Sequence, residues 1–203
     1  MAQTVTALYD TYDGAVAAVN ALEEAGVPAS EVSIVSNNAD NRYAEHQSTH
    51  AGEDAGKGAG IGAVVGGVGG LLTGLGLLAI PGVGPVVAAG WLVATAVGAA
   101  GGAVVGGAAG GLVGSLTGAG VPQRDAQVYA EGVRRGGTLV AARVADDRAP
   151  AVREILRRYQ SIDPAVRGAA YRESGWTAFD ENAPAYTPEE IAAERARYNR
   201  DRI

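Results

Sequence analysis

The chain reads as a small α/β (α+β) domain of about three strands and three helices, interrupted by a long glycine-zipper α-helical hairpin. Three observations predict this. Strand-like and helix-like patterns alternate over the first 50 residues, the same alternation resumes at residue 121, and between them residues 56–120 hold Lys57 as the sole charged side chain. The predicted organisation is a β-α-β half over 1–50, a polar linker over 51–57 and the hairpin over 58–120. An α-β-α second half over 121–163 and a C-terminal extension over 164–203, ending in a short helix, complete it.

In the first half, Thr4 to Tyr9 is β-branched and aromatic enough for a strand. Asp10 or Thr11 caps a helix whose stripe is Ala15, Ala18, Val19 and Leu22, and Gly26 with Pro28 stops it. Val32 to Ser36 is the second strand. In the second half Pro122 opens a helix through Arg135 that offers Ala126, Val128, Tyr129 and Val133 for packing. Gly136 and Gly137 end it, Thr138 to Val144 forms the third strand, and Pro150 to Tyr159 forms a third helix with Val152, Ile155, Leu156 and Tyr159 as its apolar side. A half of about 50 residues is near the lower limit for independent folding, so the two halves are expected to fold as one layered structure.

Between them, glycines recur every fourth position at 58, 62, 66, 70 and 74, and again at 90, 98, 102, 106, 110, 114 and 118, with Ala94 filling the one gap. A flexible linker has no reason to keep that register. In a helix, positions four apart form one ridge, so each arm would present a groove bare of side chains. The expected packing positions are Gly58, Gly62, Gly66, Gly70 and Gly74 against Gly98, Gly102, Gly106, Gly110, Gly114 and Gly118. Ile80 to Pro85 (IPGVGP) supplies the turn. The first arm, Ala59 to Ile80, would run roughly 33 Å and the second, Val86 to Thr117, roughly 48 Å. Glycine costs about 1 kcal/mol relative to alanine in a helix, so such arms need burial, in lipid or in a shared oligomer core.

Composition excludes several classes. There is no cysteine, so disulfides, thiolate metal sites and cysteine nucleophiles are absent. A net charge of −6 gives no nucleic-acid signal. Asp10 and Asp13 stand where a secretory leader would need a basic patch and an apolar run, so no cleaved leader is expected. Charge is divided instead: residues 1–57 carry nine acids and two bases, whereas 121–172 carry ten arginines and six acids.

Val5 to Asn37 (VTALYDTYDGAVAAVNALEEAGVPASEVSIVSN), the glycine stretch and Tyr129 to Val144 (YAEGVRRGGTLVAARV) together resemble the bacterial general stress proteins of the 17M-like, heat-induced type and their low-temperature-induced relatives. The similarity covers roughly residues 3–160. It implies a non-enzymatic, stress-associated and often membrane-associated protein, and brings no catalytic, ligand or cofactor residues with it.

Other candidate chemistry is thin. His46 and His50, with Glu45 and Glu53, have helical metal-ligand spacing but lie in a polar connector, and no metal site is assigned. Gly74 to Ala79 (GLGLLA) has the string of a dinucleotide loop without its strand–helix context, and Gly52 to Lys57 (GEDAGK) is one residue short of a phosphate loop. No cofactor is expected. Arg134, Arg135, Arg153, Arg157 and Arg158 are candidates for a basic surface facing an anionic leaflet. Thr187-Pro188-Glu189-Glu190 is a helix start, and Trp176 and Phe179 are expected to anchor the tail on a neighbour, in the same chain or another subunit. The expected function is a membrane-associated stress-response protein that self-assembles through the hairpin, at the bacterial inner membrane with its α/β domain cytoplasmic. The partners expected are a second copy and the bilayer, with no nucleic acid. The alternative is a cytoplasmic, soluble homo-oligomeric scaffold or binding protein whose hairpins share an apolar core.

Overall fold

Two strands joined by a single crossover helix run parallel, and in this fold they do not pair with each other directly. The computed structural model, which describes residues 2–39, 76–95 and 111–199, supplies the strand between them from the far end of the chain. β1 (Ala2–Tyr9) and β2 (Val32–Asn37) lie on either side of β5 (Thr138–Ala145), antiparallel to both. Among the described residues the sheet has five strands, in which β4 (Gly84–Gly90) follows β2 and β3 (Gly76–Ile80) follows β4, giving the order β1-β5-β2-β4-β3 with every neighbour antiparallel. The domain is therefore α+β, and its two halves share one sheet.

Helix α1 (Tyr12–Glu24) begins at Thr11, whose hydroxyl accepts from the Gly14 amide. Its stripe Ala15, Ala18, Val19 and Leu22 is fully buried. With α4 (Ala149–Arg158) it covers one face of the sheet, over Val5, Ala7, Ile34, Val140 and Ala142. The opposite face, with Leu8, Val35, Val86, Ala88 and Leu139, lies under α2 (Gly111–Gly118) and α3 (Gln123–Arg134). Because both faces are covered, every residue of β2 is buried. A fully buried Leu or Ile of this kind contributes about 1.5–3 kcal/mol. At the centre, the hydroxyls of Ser36 and Thr138 satisfy each other at 2.8 Å across the β2–β5 pair.

The predicted hairpin is where the fold departs from expectation. Residues 76–80 and 84–90 are not helical arms: they are strands β3 (Gly76–Ile80) and β4 (Gly84–Gly90), and β4 completes the free edge of β2. The turn does fall at Pro81-Gly82-Val83, with Gly82 at φ +71°. The physical reason is pairing. β2 needs a partner for its outer backbone groups, Val86 and Val87 are β-branched, and a strand does not carry the cost of glycine in a helix that the arms would. Pro85 is tolerated because its carbonyl meets the amide of Asn38, past the end of β2.

Among the described residues of the second arm, 91–95 and α2 are helical. Residues 40–75 and 96–110 lie outside the described residues. Among the described residues no helix is long and apolar enough to cross a membrane. Helix α5 (Pro164–Glu173), unforeseen within the extension, is capped by Asp163, which accepts from the amides of Ala165 and Val166. The terminal helix α6 (Pro188–Asn199) carries the expected reciprocal cap. The Thr187 amide donates to Glu190 and the Glu190 amide donates to the Thr187 hydroxyl.

Gly90 ends β4 at φ +96°, and a Cβ there would collide with the Val32 carbonyl and come within 2.6 Å of Ser33 Oγ. Gly118, by contrast, has nothing within 4 Å of its Cβ direction. Gly90→Ala should therefore lower the unfolding free energy by about 2 kcal/mol or more in urea titrations. Gly118→Ala should change it by no more than about 1 kcal/mol, with stabilisation the expected sign.

Candidate functional site

Charge is conspicuous where α3 ends and the C-terminal extension crosses it. Glu131 and Arg135 are one helical turn apart on α3, so their side chains meet: Arg135 Nε donates to Glu131 Oε1 at 2.6 Å, and Arg134 reaches Glu131 Oε2 at 3.3 Å. Glu131 is fully buried. From the other side Glu194 of α6 accepts from Arg135 at 3.3 Å. A second pair sits beside the first. Arg167 of α5 makes a two-pronged bond to Asp10, at 2.8 and 3.0 Å, with both side chains about nine-tenths buried.

Aromatic rings fill the space between the ions. The Arg135 guanidinium lies 4.4 Å from the Tyr171 ring centre, and that of Arg167 lies 3.7 Å from Tyr198. Tyr186 receives Arg134 at 4.9 Å. Ile191, fully buried, occupies the side-chain-free face of Gly136, whose carbonyl accepts from Arg195 at 2.9 Å. Each cation–ring contact contributes about 0.5–2 kcal/mol. The arrangement is a clasp: carboxylates, guanidinia and rings from residues 10, 131, 135, 167 and 171 grip residues 186, 191, 194, 195 and 198 of the tail.

Ionisation follows that geometry. Burial works to lower the Arg135 guanidinium, but the hydrogen bond and charge of Glu131 outweigh it and hold the group above its ordinary value. Burial raises the Tyr171 phenol, with the charge of Arg167 opposing it only in part. Burial likewise raises Tyr9, whose hydroxyl donates to the Leu156 carbonyl at 3.0 Å.

The structure distributes the sequence-predicted residues unevenly. Gly58, Gly62, Gly66, Gly70, Gly74, Gly98, Gly102, Gly106 and Gly110 lie outside the described residues, as do His46, His50, Glu45, Glu53 and the Gly52 to Lys57 string. Gly114 and Gly118 are on α2, where Gly114 is half-buried and Gly118 exposed. Gly76 to Ala79 is part of strand β3, so the dinucleotide-like string has no helix to open.

The five arginines do not form one surface, because α3 and α4 cover opposite faces of the sheet. Arg134 and Arg135 are held by Glu131 and the tail, while Arg153, Arg157 and Arg158 are exposed on α4. Trp176 stacks edge-on against Tyr171 at 5.8 Å, and Phe179 packs against the core beneath α2 and α3, close to Gly82. The tail thus lies on its own chain. Asp10, Glu131, Arg135, Arg167 and Glu194 were not foreseen as a group, since they lie far apart in sequence; the strong cap of α6 was the one available signal.

Residues 4–82 match the family model of the heat-induced stress protein YflT domain. The likeness to heat-induced general stress proteins therefore holds over β1, α1, β2 and β3, up to the β3–β4 turn. No curated protein and no solved structure matches the chain.

Two measurements check the clasp. Arg167→Ala leaves a buried carboxylate at Asp10 without its partner, and should cost about 3 kcal/mol or more in urea unfolding while exposing residues 176–187 to limited proteolysis. Stability should also fall with alkali. The unfolded chain's tyrosines ionise near pH 10 while Tyr9 and Tyr171, raised in the fold, stay neutral, so stability is full below about pH 10 and is lost as pH rises above it. Tyr171→Phe should make that alkaline loss shallower.

Proposed function

We propose, with the stress-protein match over residues 4–82 as premise, that the chain is a non-enzymatic stress-response protein that acts by non-covalent assembly through its glycine-rich segments. The observation that carries this reading is the β3–β4 hairpin. It divides the glycine-rich region into two segments, one joining β2 to β3 and the other joining residues 91–95 to α2. Each segment starts and ends on the same folded domain, and the four-residue glycine spacing lies mostly within them. Several domains can then meet through these segments without disturbing their own cores.

Non-enzymatic action is supported by how the charged groups are used. The buried carboxylates of Asp10, Glu131 and Glu194 are each held by a guanidinium, an arrangement suited to fixing the tail in place.

The hairpin also limits the form of membrane association. Residues 96–110 number fifteen, and fully extended they reach about 54 Å, less than a return crossing of an approximately 30 Å hydrocarbon core. A return crossing through this segment alone is therefore excluded. The scaffold reading gains from the same fact, because assembly needs no crossing.

Gly66→Leu combined with Gly106→Leu should reduce the mass of the particle in light-scattering chromatography while leaving the sheet's thermal transition in place. An unchanged mass overturns assembly through the glycine segments. In cell fractionation, carbonate should release the protein from membranes; retention in the pellet would instead establish an inserted span.

A further inference from the structure

We propose that the outer edge of β1 is a docking groove for an extended, acidic peptide segment of another protein, which adds to the sheet as a sixth strand. The argument begins with the register. β1 pairs with β5 along its whole length, from Ala2↔Ala145 to Tyr9↔Thr138, and stands at the margin of the sheet. On its other side the Leu8 carbonyl accepts from the Ile162 amide at 2.8 Å, an isolated antiparallel bridge. Leu8 therefore directs its backbone groups outward, and by the two-residue period so do Thr6, Thr4 and Ala2. The chain starts a strand against this edge at Ile162 and then turns away into α5 at Pro164. Among the described residues, no other strand pairs with the edge from Ala2 to Ala7.

A groove of about 230 Å³ lies in front of that edge at Val5, Thr6 and Ala7, bounded at one end by Ser161 to Pro164. Its floor is Thr6 and Ala7, one wall is Arg153, Leu156 and Arg157 of α4, and Tyr129 of α3 stands on the other. Such a slot between a strand edge and a helix is the geometry used by domains that bind peptides by strand addition. Main-chain bonds give affinity, and pockets for alternate side chains give selectivity.

Charge identifies the occupant. Arg153 and Arg157 are both exposed, and Arg153 donates to the neutral Gln3 side-chain carbonyl at 2.5 Å, which leaves its charge uncompensated there. The one carboxylate in the groove, Asp163, is engaged by the first amides of α5. The groove is thus a basic site on a chain whose net charge is −6. A second copy of β1 is a poor occupant, because symmetric edge pairing would set the arginines of one α4 beside those of the other. A segment with Glu or Asp at alternate positions, facing α4, and small or β-branched residues between them meets both walls. This inference rests on β1, α4, Tyr129 of α3 and the segment 161–164, and is independent of the glycine-rich segments.

The test uses the full chain and a fluorescein-labelled, end-capped peptide Thr-Glu-Val-Glu-Val-Thr, read by fluorescence anisotropy. Saturable binding is expected, weakened at least about tenfold by Arg153→Glu with Arg157→Glu. N-methylation of alternate peptide amides should weaken it comparably, and replacing both Glu by Lys should abolish it. Thr4→Pro removes one outward amide without touching the β5 ladder; it should weaken binding several-fold while the far-UV spectrum and thermal midpoint stay near wild type. No saturable binding up to about 1 mM peptide, a free energy near −4 kcal/mol, overturns the proposal. So does binding indifferent to N-methylation, which would be charge attraction without strand addition. Anionic phosphatidylserine vesicles bound through the same two arginines, with no peptide bound, would assign the surface to a membrane instead.

Discussion

The insertion of β5 between β1 and β2 is the pairing on which the rest of the molecule depends. β1 and β2 are both antiparallel to it, hence parallel to each other, and they never touch along their lengths. Without β5 each would show water an open row of amides and carbonyls, and the inner faces of α1 and α4 would have no continuous floor. The Ser36–Thr138 hydroxyl pair marks the same seam in polar terms, since each buried oxygen has the other as its partner. Contacts of this kind bridge more than a hundred residues of chain, so the closed sheet is a property of the whole molecule.

The local patterns that depend on few neighbours were legible in the sequence. Strands β1, β2 and β5, α1 with its buried stripe, α3, α4 and the capped α6 all form where their periodicity and terminal residues place them. What was misread is instructive. Glycines four apart suggest helix packing wherever they occur, but the register says nothing about what waits to be paired, and the bare edge of β2 recruits 84–90 as a strand. Over 76–80 and 84–90, tertiary pairing overrides the helical arms expected there. Helix α5 was missed although Asp163-Pro164 is a start signal of the usual type, because the apolar content after it is sparse and its buried residues, Arg167, Gly168 and Tyr171, are not the ones a hydrophobic pattern selects.

Besides the cap of α6, the candidate site was legible only at its aromatic margin. Trp176 and Phe179 stand out as large apolar groups in a polar tail, whereas Asp10, Glu131, Arg167 and Glu194 are ordinary charged residues until the fold gathers them. Desolvating such ions costs several kcal/mol each, which their mutual attraction recovers only in good geometry. The two-pronged Asp10–Arg167 bond and the rings stacked on both guanidinia provide that geometry. An apolar patch in the same place would hold the tail in many registers, while paired ions hold it in one.

The central position of β5 also orders events during synthesis. β1 and β2 are synthesised by residue 37, yet the strand that joins them begins at Thr138, about a hundred residues later. At translation rates of about 5–20 residues per second, that interval is roughly 5–20 s, far longer than a strand edge needs to find a wrong partner. The nascent chain therefore spends its most vulnerable seconds with the middle of its sheet missing, a period in which a holdase or the ribosome surface has the greatest effect on yield.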